Sequence, residues 1–174
     1  NIAAGEQYHL LYNAVYGIRS TSLRMTNVYG PRQLVKHNRQ GFIGWFIRLA
    51  VEGKTIQIYG DGNQKRDLNY VDDVCDALLL AAAMDESNGK VYNLGSSEVV
   101  SLKQLAEMLI RIAGKGSCEL VPWPEKKKKI DIGDYYGDFA KIKKELGWFP
   151  KTSLANGLKQ TVDYYTEHLT QYTA

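Results

Sequence analysis

Tyr59-Gly60-Asp61-Gly62-Asn63-Gln64-Lys65-Arg66-Asp67-Leu68-Asn69-Tyr70-Val71-Asp72-Asp73 joins an apolar alternation to an apolar helix through a glycine-rich loop. The alternation just upstream, Thr55-Ile56-Gln57-Ile58-Tyr59, reads as a short strand. Gly60-Asp61-Gly62-Asn63 favours a tight turn, because glycine reaches positive φ without a Cβ clash. One charged pair, Arg66-Asp67, leaves the loop, and a helix is expected to start at Val71. An arginine at the loop exit and an aromatic at its entrance suit an anion that carries a flat ring. The guanidinium can grip a phosphate with two parallel hydrogen bonds, and Tyr59 can flank a base. The same residues also describe a surface hairpin with an ordinary Arg66-Asp67 salt bridge, and this stretch by itself leaves both open.

Working outward, helices and short strands alternate. Ile2, Tyr8, Leu11, Tyr12 and Val15 have helical spacing, with Gly17 as the stop. Ser20 to Met25 reads as a strand, Tyr29-Gly30-Pro31-Arg32 as a turn, and the polar, basic residues 31–40 as a loop. Phe42 to Val51 is an amphipathic helix closed by Gly53. Val71 to Met84 is a strongly apolar helix, and Asp72 and Asp73 complement the dipole of its first turn. Val91 to Leu94 is a strand ending at Gly95. Ser101 with Gln104 forms a capping box for a helix that runs to about Ala113. Cys118 to Val121 is a further strand, and Trp123-Pro124 opens a charged loop. Ile130 to Tyr136 leads into a helix around Phe139 to Leu146. Ser153 caps the last helix, which turns Leu154, Leu158, Val162, Tyr165 and Leu169 inward. The alternation predicts an α/β fold.

The 174 residues are 44% hydrophobic and 24% charged, a balance that supports a folded core in a single domain. A net charge of +3 argues against a nucleic-acid partner, which calls for a basic stripe. The only basic run, Lys126 to Lys129, lacks interleaved aromatics and reads as a solvated loop. Cys75 and Cys118 have neither metal-ligand nor redox spacing, which favours a reducing, cytoplasmic setting. No apolar run reaches membrane length. Asn1-Ile2-Ala3-Ala4 reads as the interior of a helix already under way, so the chain is expected to be a piece of something longer.

Leu23-Arg24-Met25-Thr26-Asn27-Val28-Tyr29-Gly30-Pro31-Arg32-Gln33 resembles a strand-and-turn motif of the extended short-chain dehydrogenases that act on nucleotide sugars. The stretch from Ile58 through Arg66-Asp67, Tyr70-Val71 and Asp73 is similar to the next block of the same enzymes. Asn93-Leu94-Gly95 and Leu146-Gly147-Trp148-Phe149-Pro150 resemble two later blocks, in the same order. The family comprises NDP-sugar epimerases, 4,6-dehydratases and decarboxylases. The resemblance implies an NAD-binding Rossmann half (NADP in some members) and a smaller half that holds a nucleotide-diphosphate sugar. It implies transient oxidation at sugar C4, with a tyrosinate of a Tyr-x-x-x-Lys pair as base, and a homodimeric parent protein. Residues 1–30 then correspond to a remnant of the Rossmann half and 31–174 to the nucleotide-sugar half, with some segments returning to the Rossmann sheet.

The departures matter. The sequence contains no Tyr-x-x-x-Lys and no phosphate-binding glycine fingerprint. No catalytic residue is therefore assigned, and the chain is expected to bind without turning over. A non-catalytic nucleotide-sugar-binding or regulatory module of the same ancestry is the competing expectation. Carried over residue by residue, the resemblance implies that Asn27 lies near the sugar and diphosphate, and that Thr26 and Val28 lie beside the nicotinamide. Gly41, Phe42, Gln57 and Tyr59 would meet the nucleotide, and Arg66 would bind the diphosphate. Asp67 itself reads as orienting Arg66 or the loop instead of touching substrate, while the resemblance puts Arg32 and His37 in the loop that borders the sugar. Where many relatives carry a second phosphate arginine, this chain offers Lys129, which supplies charge without a bidentate fork.

Overall fold

A computed structural model describes residues 2–129 and 131–173. Asn1, which opens the expected first helix, and Ile130, expected on the approach to the helix around Phe139 to Leu146, lie outside the described residues. In chain order the elements are α1 (Ile2–Tyr16), β1 (Thr21–Arg24), β2 (Asn27–Tyr29), α2 (Phe42–Glu52), β3 (Thr55–Tyr59), β4 (Lys65–Tyr70) and α3 (Val71–Ala83). They continue with β5 (Lys90–Asn93), β6 (Val99–Ser101), α4 (Leu102–Ala113), β7 (Ser117–Val121), α5 (Glu125–Lys128), α6 (Ala140–Leu146) and α7 (Leu154–Thr173). The α/β alternation stands, and the caps are where local chemistry puts them. Ser101 Oγ accepts from the Gln104 N–H while Gln104 Oε1 accepts from the Ser101 N–H. Ser153 Oγ accepts from the Asn156 N–H at the start of α7.

The strands form three small groups: β1 with β5, β3 with β7, and β4 between β2 and β6. All pairs are parallel except β4 with β6. One apolar cluster joins α2, α4 and α7 to the strands, with Ile47, Ile56, Leu105, Leu109 and Leu158 fully buried. A second joins α3, β5 and α6 around Tyr92, Leu94, Ile142 and Trp148, with Leu23 of β1 packed against it. The α3 terminus is tied to that region: Asp73 Oδ2 accepts from the Thr152 N–H, and the Trp148 indole N–H donates to the Asp73 carbonyl.

Three strands differ from the expectation. β2, β4 and β6 do not stand out from the sequence, in which Arg66-Asp67 reads as the exit of a loop that runs into the helix at Val71. In β4 every residue from Arg66 to Tyr70 is buried. Its sequence shows no alternation because both edges are paired and polar side chains are met by partners from distant segments. The charged loop after Trp123 holds the short helix α5.

Candidate functional site

A cavity of about 360 Å³ opens where the start of α2 faces the end of β3. Gly41, Phe42, Gln57 and Tyr59 all line it, so four expected nucleotide residues meet in one place. Alternation along β3 explains half of this. Ile56 and Ile58 point into the core, which turns Gln57 outward and leaves Tyr59 half-buried at the strand end. The Gln57 amide donates to Glu119 Oε1 at 2.8 Å, so the strand offers its backbone to a ligand more readily than this side chain.

Trp45, Trp123 and Asn38 also line the cavity, and the sequence reading assigned them no role there. The Trp123 ring lies 5.5 Å from that of Tyr59, tilted by 33°. Parallel pairing of β3 with β7 sets Tyr59 opposite Val121, which brings the indole two residues on over Gly60. Gly60 has φ +74° and would drive a Cβ into that indole, so the aromatic wall requires glycine there. Nothing local to Trp123 announces this; it follows only from the β3–β7 pairing.

Arg66 sits in β4 at 8% exposure. Its guanidinium donates to the carbonyls of Lys65 and Gly133 and lies 4.0 Å from Asp131. It does not pair with Asp67, because successive strand residues face opposite sides. Asp67 is fully buried, and its Oδ2 accepts from the Ser96 and Gly137 N–H groups at 3.0 and 3.1 Å. The surface-hairpin alternative, with an ordinary Arg66-Asp67 salt bridge, does not describe two buried residues that hold different segments.

Asn27 stands opposite Leu68 in the β2–β4 ladder, and its amide donates to the Asp67 carbonyl. Thr26 donates to Asn69 Oδ1 at 3.0 Å. Asn27 and Arg66 thus meet at β4, the former through the β2–β4 ladder and the latter in the β4–β6 ladder, and Thr26 just precedes β2. Val28 lines a different cavity, of about 670 Å³, with Arg32 and Tyr70. Lys129 is exposed just past α5. His37 caps a short 3₁₀ turn, its Nδ1 accepting from the Arg39 N–H. Among the described residues no group of three His, Cys, Asp or Glu is placed to hold a metal ion, and no helix is long and apolar enough to cross a membrane.

Residues 3–95 match the NAD dependent epimerase/dehydratase family. A putative UDP-glucose 4-epimerase of Methanocaldococcus jannaschii is 35% identical over 162 residues, covering 92% of this chain and 50% of the relative. The structure of a UDP-glucose 4-epimerase from Thermotoga maritima with UDP-glucose superposes with a TM-score of 0.86 at 38% identity, covering 96% of this chain and 52% of that one. A dTDP-glucose 4,6-dehydratase from Streptomyces venezuelae, solved with NAD, gives a TM-score of 0.82 at 30% identity and covers 98% and 51%. The chain thus spans about half the length of the curated relatives it matches. With the family match extending over just more than half of its 174 residues and the fold shared along nearly all of them, the chain belongs to the NAD dependent epimerase/dehydratase family.

Proposed function

We propose that this chain forms the nucleotide-sugar-binding part of an NAD(P)-dependent NDP-sugar epimerase or 4,6-dehydratase acting by transient oxidation at sugar C4. The observation that carries the reading is the aromatic-walled cavity that gathers Gly41, Phe42, Gln57 and Tyr59. In it the base lies against Tyr59, with the backbone of Gly41 and Gln57 at its edge. The diphosphate runs towards Arg66 and Asn27, with Lys129 as an outlying charge. Arg66 is held by backbone carbonyls in a nearly buried pose, which limits the side-chain entropy lost when an anion binds.

Towards NAD this chain offers Thr26, just before β2, and Val28 within it, and without a glycine fingerprint it holds at most the nicotinamide end. When bound, the cofactor supplies the hydride acceptor. We place residues 1–30 with the NAD-binding half and 31–174 with the nucleotide-sugar half. The packing of β5 and α6 with β1 supports the return of those two elements to the former. The 174 residues lack a Tyr-x-x-x-Lys, so by themselves they bind without turnover.

The test is calorimetric titration of this chain at low salt with UDP-, dTDP- and GDP-sugars. Selective binding of one nucleotide is expected and would name the substrate class. Absence of heat with all three would overturn the reading for this chain.

A further inference from the structure

Asp67 and Asn69 lie two apart on β4, share one face of the strand, and are both fully shielded from solvent. Between them they reach three segments far apart in sequence. Asp67 Oδ2 accepts from the Ser96 and Gly137 N–H groups. Asn69 donates to the Gly95 carbonyl at 2.8 Å and accepts from Thr26. The Asp67 carbonyl accepts from Asn27. Gly95 and Gly137 are packed so closely that a Cβ on either would strike the other segment's backbone. Residues 133–137 are also stitched to β4 on the other side of this contact. The Tyr135 N–H donates to the Lys65 carbonyl, and Arg66 donates to Gly133.

We infer that Asp67 and Asn69 are positioning residues, a buried polar clamp that sets where Arg66 and Asn27 present their donors. The inference rests on the nucleotide-sugar reading and names a device within that site. Asp67 fixes one end of the 133–137 strap at Gly137, and Arg66 meets its other end at Gly133. Releasing Gly137 therefore shifts the carbonyl against which the guanidinium is aligned. Two backbone N–H groups on one buried carboxyl oxygen tie Ser96 and Gly137 to β4. The second oxygen, Oδ1, is buried and has no partner among the described residues. In Asp67→Asn the amide oxygen can take the place of Oδ2, with the NH₂ where Oδ1 stood. That variant keeps the shape and replaces the carboxyl with an amide.

The experiment is a double-mutant cycle on UDP affinity, by calorimetry on the whole chain, with Asp67→Asn in the native and Arg66→Lys backgrounds. Asp67→Asn is expected to weaken UDP at least about tenfold in the native background and clearly less beside Arg66→Lys. An unchanged affinity, or the same loss in both backgrounds, would overturn the inference, since a purely structural role does not depend on the residue at 66. Hydrogen exchange on the same variant reads the clamp without any ligand. Faster exchange is expected at 95–97 and 133–137, with α4 unchanged. If native chain fails to bind UDP, the nucleotide reading falls while exchange still decides the clamp, and unaltered exchange at both segments overturns it.

Discussion

Arg66 supplies the positive charge nearest the proposed diphosphate path, and its burial makes its replacement informative. Arg66→Ala removes a charged hydrogen-bond partner and is expected to weaken nucleotide-diphosphate binding by about 1.5–3 kcal/mol. Calorimetry on the variant checks this, and an unchanged affinity would remove the arginine from the site. A second residue-scale prediction concerns pH. The Tyr92 hydroxyl donates to Glu145 Oε2 at 2.9 Å and is pushed up to about 12 from its ordinary 10.0, by burial first and by this hydrogen bond second. A raised value in the folded chain means stability that is complete below pH 10 and lost as pH rises towards about 12. Glu145 is displaced the other way, below its ordinary 4.5, chiefly by the hydrogen bond from Lys90 and next by that from Tyr92. Its contribution is present above 4.5 and is lost as pH falls through the lowered value. Denaturant titrations of Tyr92→Phe should show a shallower loss of stability between pH 10 and about 12 than the native chain. The same alkaline slope in both would exclude this pair as a cause.

At the scale of elements, the helix caps were legible because they are local. Ser101 and Gln104 satisfy each other's backbone neighbours within a single turn, so spacing alone reveals them. Ser101→Ala is expected to destabilise by about 1 kcal/mol. That corresponds to a Tm lower by roughly 2–4 °C for a chain of this size, measured by differential scanning calorimetry, and an unaltered Tm would show that α4 does not depend on its cap. β4 was not legible. Its Arg-Asp-Leu-Asn-Tyr run carries no periodic apolar face, and the partners that make its burial tolerable come from residues 96, 133 and 137. Gly60 belongs to the same scale, where a turn and an aromatic wall share one residue. Gly60→Ala both strains a φ of +74° and meets the Trp123 indole. The expected result is displacement of the indole, read as a shift in tryptophan emission, together with weaker nucleotide binding. Native emission and affinity in that variant would show that the wall tolerates a Cβ.

At the scale of the whole molecule, α1 stands apart from both apolar clusters. None of its residues is buried, and Tyr8, Leu11, Tyr12, Val15 and Tyr16 are exposed. What holds it is polar. Glu6 pairs with Arg24, which draws the Glu6 carboxyl below its usual range, and Asn13 reaches Ile18 and Asn88. An apolar helix face of this kind is expected to drive concentration-dependent association. Sedimentation velocity should give a coefficient that rises with concentration, and Leu11→Glu with Val15→Glu should suppress the rise. A monomer at every concentration would show that the face is inert.

The sequence by itself determined the α/β class and the positions of the Ser101 cap and the glycine stops, because each depends on neighbours within one turn or one strand, whereas Gly41, Phe42, Gln57 and Tyr59 were singled out by the family resemblance. It also carried the ordered blocks that place the chain in its family. Tertiary structure alone decided that Arg66-Asp67-Leu68-Asn69 is a buried central strand, that Trp123 walls the cavity, and that Arg66 and Asp67 hold opposite ends of one strap. For Trp123 the reason is the β3–β7 pairing, and for the buried strand and its strap it is the burial of polar groups. A buried polar residue is stable only with a hydrogen-bond partner, and here those partners lie about 30 to 70 residues away, beyond the reach of any local pattern.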